Sequence, residues 1–303
     1  MNRRAAPRWA RIRRKVTGDL TGWTFAGPAT LIVLGLSVFP AVWALLISRQ
    51  KWNGISPAKD VGWQNYQRMA DDADLAAAVN HTVVFTAAFV PISLLIGLLL
   101  AIALNQPIRL IGFYRTCIFV PFVASAAATG ILASFVFNPQ FGVVNAALRS
   151  IGLPPQPFLE SPSQVIAVLT LISLWGQVGF TTVVYLAALQ DVPADITEAA
   201  LVDGANRRQV FWHITVPQLR PVTVFTTVWQ TITALQLFDL VYTTTRGGPL
   251  GSSQTVVYYV YYEFREVQRY GYASAVAYGL FAVTMIITIG MVLYSRKHGT
   301  EAF

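Results

Sequence analysis

Six apolar stretches, over residues 24–48, 82–104, 116–137, 165–189, 222–242 and 273–294, constrain what this chain can fold into. Five carry no charged residue, and 222–242 carries a single acid, Asp239. Each reaches the roughly 20 residues that a helix needs to cross a bilayer core. Hydrocarbon offers backbone N–H and C=O groups no partners, so a crossing stretch must satisfy its own hydrogen bonds as a helix. Composition agrees: 54% of the 303 residues are hydrophobic and 12% are charged, against about 25% charged in a soluble domain. A soluble helical protein would show shorter, amphipathic runs interrupted by charges. The fold class expected is all-α, a polytopic membrane protein of six transmembrane helices.

The basic residues orient those helices. Residues 1–23 hold Arg3, Arg4, Arg8, Arg11, Arg13, Arg14 and Lys15 against one acid, Asp19, and so basic a segment stays in the cytoplasm. Trp9, Ile12, Val16 and Leu20 fall at helical spacing, which suits either a helix lying on the lipid surface or a disordered basic tail. Six spans then put both termini inside, with 105–115 and 190–221 as inner loops. The inner segments hold 14 of the 22 Lys and Arg and the outer segments hold eight, the bias that the positive-inside rule requires. Membrane orientation therefore explains the net charge of +8 without a nucleic-acid partner. The domain plan is a basic segment, 1–23, a six-helix domain, 24–294, and a cytoplasmic tail, 295–303. The first span has a basic flank like a signal peptide, but it is too long and lacks a small-residue cleavage site, so it reads as an uncleaved helix.

The chain carries few groups suited to bond-making chemistry. Cys117 is the only cysteine and lies in an apolar run, so it forms no intrachain disulfide and reads as a small core residue. His81, His213 and His298 lack metal-ligand spacing, and no Ser-His-Asp or Cys-His set stands out. There is no phosphate loop of the G-x-x-x-x-G-K-[ST] type, so the chain is not expected to bind ATP. A membrane hydrolase is accordingly a weak competitor. An ion-coupled secondary carrier, the alternative reading, normally needs several ionisable groups within its spans, and this chain offers Asp239 alone.

The 190–221 loop is about thirty residues long, where a linker between helices usually takes two to eight. Asp195 followed three residues later by Glu198 reads as a capping box that starts a helix at Ile196. Gly204 suits the left-handed turn that ends that helix, and a second short helix through Phe211 and Ile214 is expected to stop before Pro217. Two short helices joined at a glycine, with small Ala199 and Ala200 exposed, make a knob that fits a partner's cleft.

The residues Glu198-Ala199-Ala200, Asp203-Gly204 and Ile214-Thr215-Val216-Pro217 closely resemble the EAA motif of importer permeases in the ATP-binding-cassette superfamily. The one departure is Val216 in place of the usual leucine. The resemblance implies a type I ABC importer transmembrane domain whose loop is the coupling helix that docks on the ATPase. Phe238-Asp239, Thr245-Arg246-Gly247-Gly248-Pro249 and Tyr270-Gly271-Tyr272-Ala273-Ser274-Ala275 look like the carbohydrate-type branch. That branch includes permeases for maltose-like oligosaccharides and for glycerol-3-phosphate and its diesters, and the chain is similar to the first of its two permease subunits. The large extra periplasmic domain of the enterobacterial maltose permease has no counterpart in this sequence. The partners implied are a second permease subunit, two ATPase subunits that bind ATP and Mg, and an extracytoplasmic solute-binding protein. The site implied is the bacterial inner membrane.

Polar residues within spans face the bundle interior or a water-filled path. Thr226, Gln230, Thr233 and Leu237 share one face of the fifth span, with Trp229 and Gln236 beside them, and Trp175, Gly176 and Gln177 interrupt the fourth. Aromatic rings suit the apolar faces of sugar rings, and amides and hydroxyls suit solute hydroxyls. The same residue types also join helices by ordinary packing, so both readings stay open for Gln230 and Thr233; substrate contacts from this part of the fifth span in maltose-type relatives favour the path. Asp239, near the outer end, is expected to cap a gate or pair with Arg246.

Overall fold

A computed structural model describes residues 23–107 and 109–297. The Trp9, Ile12, Val16, Leu20 stripe, His298 and the tail beyond Lys297 lie outside the described residues. Helix α1 runs Trp23–Ile47. A small hairpin follows, with β1 (Gln50–Lys51) antiparallel to β2 (Lys59–Asp60). Next come α2 (Gln64–Asp71), α3 (Ala73–Leu104), α4 (Ile111–Val123), α5 (Ala126–Val136), α6 (Val143–Ser150) and α7 (Val165–Gln190). The loop beyond α7 carries α8 (Ala194–Val202) and α9 (Arg207–Val210). The chain closes with α10 (Arg220–Leu235), α11 (Asp239–Thr244), α12 (Val256–Arg265) and α13 (Tyr270–Lys297).

Four of the six expected crossings are continuous, and the third is sharply broken. Instead of one helix over 116–137, α4 and α5 meet at a 99° bend. The cause is local. Pro121 supplies no N–H to the turn, and Ala124 and Ser125 then take extended conformations, at φ −67°, ψ 143° and φ −60°, ψ 132°. The fifth crossing is also interrupted, because α10 ends at Leu235 and α11 begins at Asp239.

Two other prolines are absorbed rather than obeyed. Before Pro40 the helix widens into a π-turn over Leu34–Val38, and before Pro217 it does so over Phe211–Thr215. A proline ring clashes with the carbonyl four residues back, and a turn wound one residue wider relieves that conflict. The second expected loop helix therefore does not stop before Pro217. It continues through Val216–Gln218 and leads into α10.

The core is built on α3, α7 and α10. Phe85, Phe89 and Val90 pack on Leu174, Val178 and Ala234 at mid-height, and Ala101 and Leu104 pack on Tyr185, Leu186, Leu189 and Leu219 at the loop end. Gly97 lets α3 and α7 approach closely, since a Cβ there would collide with Thr181; small residues at such contacts replace the hydrophobic drive that lipid removes. By contrast, none of the most apolar window of α1 is buried. Cys117 is exposed on α4 rather than buried in the core, because α4 meets the bundle on only one side.

Candidate functional site

The two interrupted crossings meet. Pro121, Phe122 and Ala124 from the α4–α5 break face Gln236, Leu237, Phe238 and Asp239 from the α10–α11 break across a cleft of about 170 Å³. Thr129, Ser173, Gly176, Gln177 and Thr233 complete its polar lining, and Phe85 and Phe89 stand behind. Irregular backbone at membrane depth is tolerated only where protein buries it or where it lines a water-filled cavity. Here its groups are largely satisfied locally. Leu237 N–H donates to Ala234 O at 3.2 Å, and Leu237 O accepts from Thr255 Oγ1 at 2.7 Å.

Four of the eight expected path residues, Gln177, Thr233, Gln236 and Asp239, therefore share one cleft. Thr226 and Gln230 do not reach it. Both are fully buried; Thr226 Oγ1 donates to Val222 O at 2.7 Å, and Gln230 Nε2 donates to Thr181 Oγ1 at 2.7 Å and to Ser93 Oγ at 3.3 Å. The stripe does lie on one helical face, but the neighbours of that face change along the axis. Its first half presses on α3 and α7, and its second half opens beside the α4–α5 break. Asp239 is exposed and opens α11, where a negative charge suits the helix dipole. It makes no ion pair with Arg246, since Arg269–Glu263 at 3.0 Å is the only salt bridge among the described residues.

The two tryptophans diverge from the amides. Trp175 lies on a neighbouring apolar groove with Leu132, Val136 and Leu171. Trp229 joins an aromatic row that begins at the cleft with Phe122, continues through Phe180 at 5.2 Å, and reaches Trp229 at 5.4 Å and Phe225 at 6.4 Å. Sequence reasoning missed Phe122, Thr129 and Ser173; Pro121 followed by small Ala124 and Ser125 was the available signal, and a proline alone does not fix a break.

The 190–221 loop has its own geometry. Helix α8 starts at Ala194 with Pro193 as its N-cap and no side-chain cap bond, so the expected Asp195–Glu198 capping box does not form. The box sits one helix later, where Asn206 Oδ1 accepts from Gln209 N at 2.9 Å and Gln209 Oε1 accepts from Asn206 N at 2.8 Å. Between the helices Gly204 takes φ +91°. Ala205 N–H donates to Ala200 O at 2.9 Å and Gly204 N–H to Leu201 O at 3.1 Å, the paired bonds of a Schellman ending. No residue of α8 is buried, Glu198 and Ala199 are exposed and Ala200 is half-buried, and Val202 is 87% exposed. Asp203, Gly204 and Ile214 edge a notch between the two helices with His213, while Pro217 lies in the helical turn Val216–Gln218 and Leu219 roots the loop in the bundle.

An all-helical bundle with two crossings broken around a polar cleft and a projecting loop at one end is the architecture of a membrane transport component. Residues 93–297 match the family described as binding-protein-dependent transport system inner membrane component, and the chain belongs to that family. It is 35% identical over 89% of its length to the lactose transport system permease protein LacF of Rhizobium radiobacter, covering 92% of that protein. It is 33% identical over 93% of its length to the sulfoquinovosyl glycerol transport system permease protein SmoG of Agrobacterium fabrum, again covering 92%. A chain of a bacterial alginate ABC transporter, solved with an alginate-bound periplasmic protein, shares the fold with a TM-score of 0.84 at 22% identity, over 96% of this chain and 99% of that one. The protein is thus a multi-pass inner-membrane permease subunit of a carbohydrate-type ABC importer, a transporter component and not an enzyme. The ion-coupled carrier is set aside by that membership.

Proposed function

We propose that this subunit passes an uncharged sugar-like solute through the cleft at the two broken crossings. The observation that carries the reading is the lining itself: Gln177, Thr233, Gln236 and Asp239 offer hydroxyl-binding groups, Phe122 and Phe238 offer rings, and among the described residues no Lys or Arg lines the cleft. A phosphate, sulfonate or uronate would meet the Asp239 carboxylate with no cation to offset it, at a cost that low-dielectric surroundings magnify. The lactose relative therefore resembles the solute class better than the sulfoquinovosyl glycerol relative or an acidic polysaccharide does. Glycerol-3-phosphate fits poorly for the same reason. The aromatic row from Phe122 through Phe180 to the exposed Trp229 suits the ring faces of a sugar leaving the cleft, whereas Gln230 and Thr226 serve helix packing.

In this reading a second permease subunit completes the path, and an extracytoplasmic binding protein delivers the solute. Two cytoplasmic ATPase subunits bind ATP and Mg, and the 190–221 loop couples them to the spans through Glu198, Ala199, Ala200, Asp203 and Gly204, with Ile214 and Pro217 holding the base. The exposed apolar side chains of α8, Ile196, Leu201 and Val202, support a covered surface there. Both chain termini then lie in the cytoplasm. Uptake by the reconstituted transporter with its binding protein tests the solute class. A neutral disaccharide is expected to be carried and to raise ATP hydrolysis, and Asp239→Asn is expected to retain that uptake while Gln177→Leu with Thr233→Val weakens it. Equal transport of glycerol-3-phosphate would overturn the assignment.

A further inference from the structure

At the hairpin end of the bundle, away from the cleft, a groove of about 640 Å³ runs between β1, β2, α2 and the start of α13. Lys51, Lys59, Arg68 and Arg269 line it, and among the described residues no acidic side chain does. Four of the eight cations in the segments expected outside are thus gathered at one place, on the side of the membrane where cations are depleted. Lys51 and Lys59 stand directly opposite each other in the hairpin, a like-charge cross-strand pair that costs stability. Arg68 lies with its guanidinium 4.5 Å from the centre of the Tyr272 ring, and Arg269 is partly neutralised by Glu263 at 3.0 Å.

The frame under these cations is built, not draped. Asn65 Nδ2 donates to Ser48 O at 2.8 Å and to Gln50 O at 2.9 Å, tying α2 to the hairpin. Tyr270 N–H donates to Trp52 O at 3.0 Å, and a Cβ at Gly271 would collide with the Gln50 carbonyl, so α13 abuts the strand. A fixed frame that holds two lysines face to face, with nothing acidic between them, calls for an anionic ligand.

We propose that this groove binds the phosphate-bearing headgroup of an anionic membrane lipid. Its position favours a lipid over a soluble anion. The groove opens where α1 ends at Ile47 and α13 begins at Tyr270, the level at which headgroups meet the protein, and Trp52, Trp63, Tyr66 and Tyr270 ring that level as interfacial aromatics do. The helices on either side have only 0% and 6% of their most apolar windows covered, so acyl chains have an apolar surface to follow. Cations gathered at headgroup depth offer a lipid phosphate charge-assisted hydrogen bonds, and the volume suits a phosphoglycerol group.

The test uses the assembled transporter in detergent and reads its thermal midpoint with phosphatidylglycerol, phosphatidylcholine or millimolar inorganic phosphate added. Phosphatidylglycerol is expected to raise the midpoint by several degrees and phosphatidylcholine to leave it unchanged. In the double variant Lys51→Gln with Lys59→Gln that rise disappears, while the lipid-free midpoint stays the same or increases because the like-charge pair is gone. Arg149→Gln, an exposed cation on α6 outside the groove, keeps the rise. An equal shift with inorganic phosphate would make the ligand a free anion and overturn the lipid assignment. So would an undiminished lipid response in the double variant, and so would a double variant that loses only stimulation by the binding protein, which would make the groove a protein-docking surface.

Discussion

Gly204 and Gln230 show how differently one residue matters at a turn and in a core. A side chain at Gly204 would meet nothing within 4 Å, so the only obstacle to substitution is its φ of +91°. Gly204→Val is therefore expected to strain the α8–α9 turn by about 1 to 2 kcal/mol and to lower binding-protein-stimulated ATP hydrolysis without preventing membrane insertion. Gly204→Asn, which tolerates the left-handed region better, should recover much of the loss. If the valine variant matches wild type in stimulated hydrolysis, the loop is a linker. Gln230 is the opposite case, a fully buried amide whose Oε1 has no partner. Gln230→Leu removes both the bonds to Ser93 and Thr181 and that unsatisfied oxygen, and Ser93 Oγ and Thr181 Oγ1 remain 3.2 Å apart for each other. The net change is expected to be about 1 kcal/mol or less, with unchanged uptake per assembled complex. A variant that assembles normally and transports poorly would return Gln230 to the solute path.

At the scale of the element, Asp72 organises the start of the longest helix. Its Oδ1 accepts from Asp74 N and Leu75 N, both at 3.1 Å, as the N-cap of α3. Its Oδ2 accepts from Tyr259 OH at 2.8 Å and Tyr272 OH at 2.6 Å, joining α12 and α13 to that start. Burial alone would raise the Asp72 pKa, but the hydrogen bonds from Tyr272, Leu75 and Tyr259, with Arg68 nearby, hold it below the ordinary carboxylate value. A depressed carboxylate contributes stability that is present above its unfolded value, about 3.9, and is lost as pH falls through the lower folded value. Asp72→Ala should cost about 1 to 2 kcal/mol as a lost cap, and thermal melts should show the gap to wild type closing below about pH 4. A gap that widens in acid would contradict this account. Glu263 titrates in the other sense. Burial raises its pKa despite help from Tyr259 and Arg68, so its ionised form is the costly one and its contribution falls as pH rises through that raised value.

The whole molecule places the hairpin and the 190–221 loop at opposite ends of the bundle. Single cysteines at the exposed positions 206 and 250 report which end faces which compartment, after Cys117→Ser removes the native exposed thiol. Leu250 is 96% exposed and Asn206 is exposed. A label at Leu250→Cys is expected to react from outside and one at Asn206→Cys only after the membrane is permeabilised. Reaction of Asn206→Cys from outside would invert the topology and remove the loop from the ATPase side.

The number of helical crossings and the presence of a folded loop at 190–221 were legible in the sequence, because a bilayer demands some 20 apolar residues per crossing and the glycine turn is a local matter of backbone geometry. Gly204 was found for that reason. Where the crossings break was not legible: the sequence reads 116–137 as one helix, and Pro121 stands at its interruption while Pro91 sits inside an unbroken α3 and Pro40 and Pro217 pass through as π-turns, so a proline alone does not say which outcome follows. The face shared by Thr226, Gln230, Thr233 and Leu237 was correctly periodic, but periodicity sets direction around a helix and says nothing about what lies opposite at each height. Only the packing of α3 and α7 against the first half of that face, and of the α4–α5 break beside the second, decided that Gln230 joins helices and Thr233 lines the cleft.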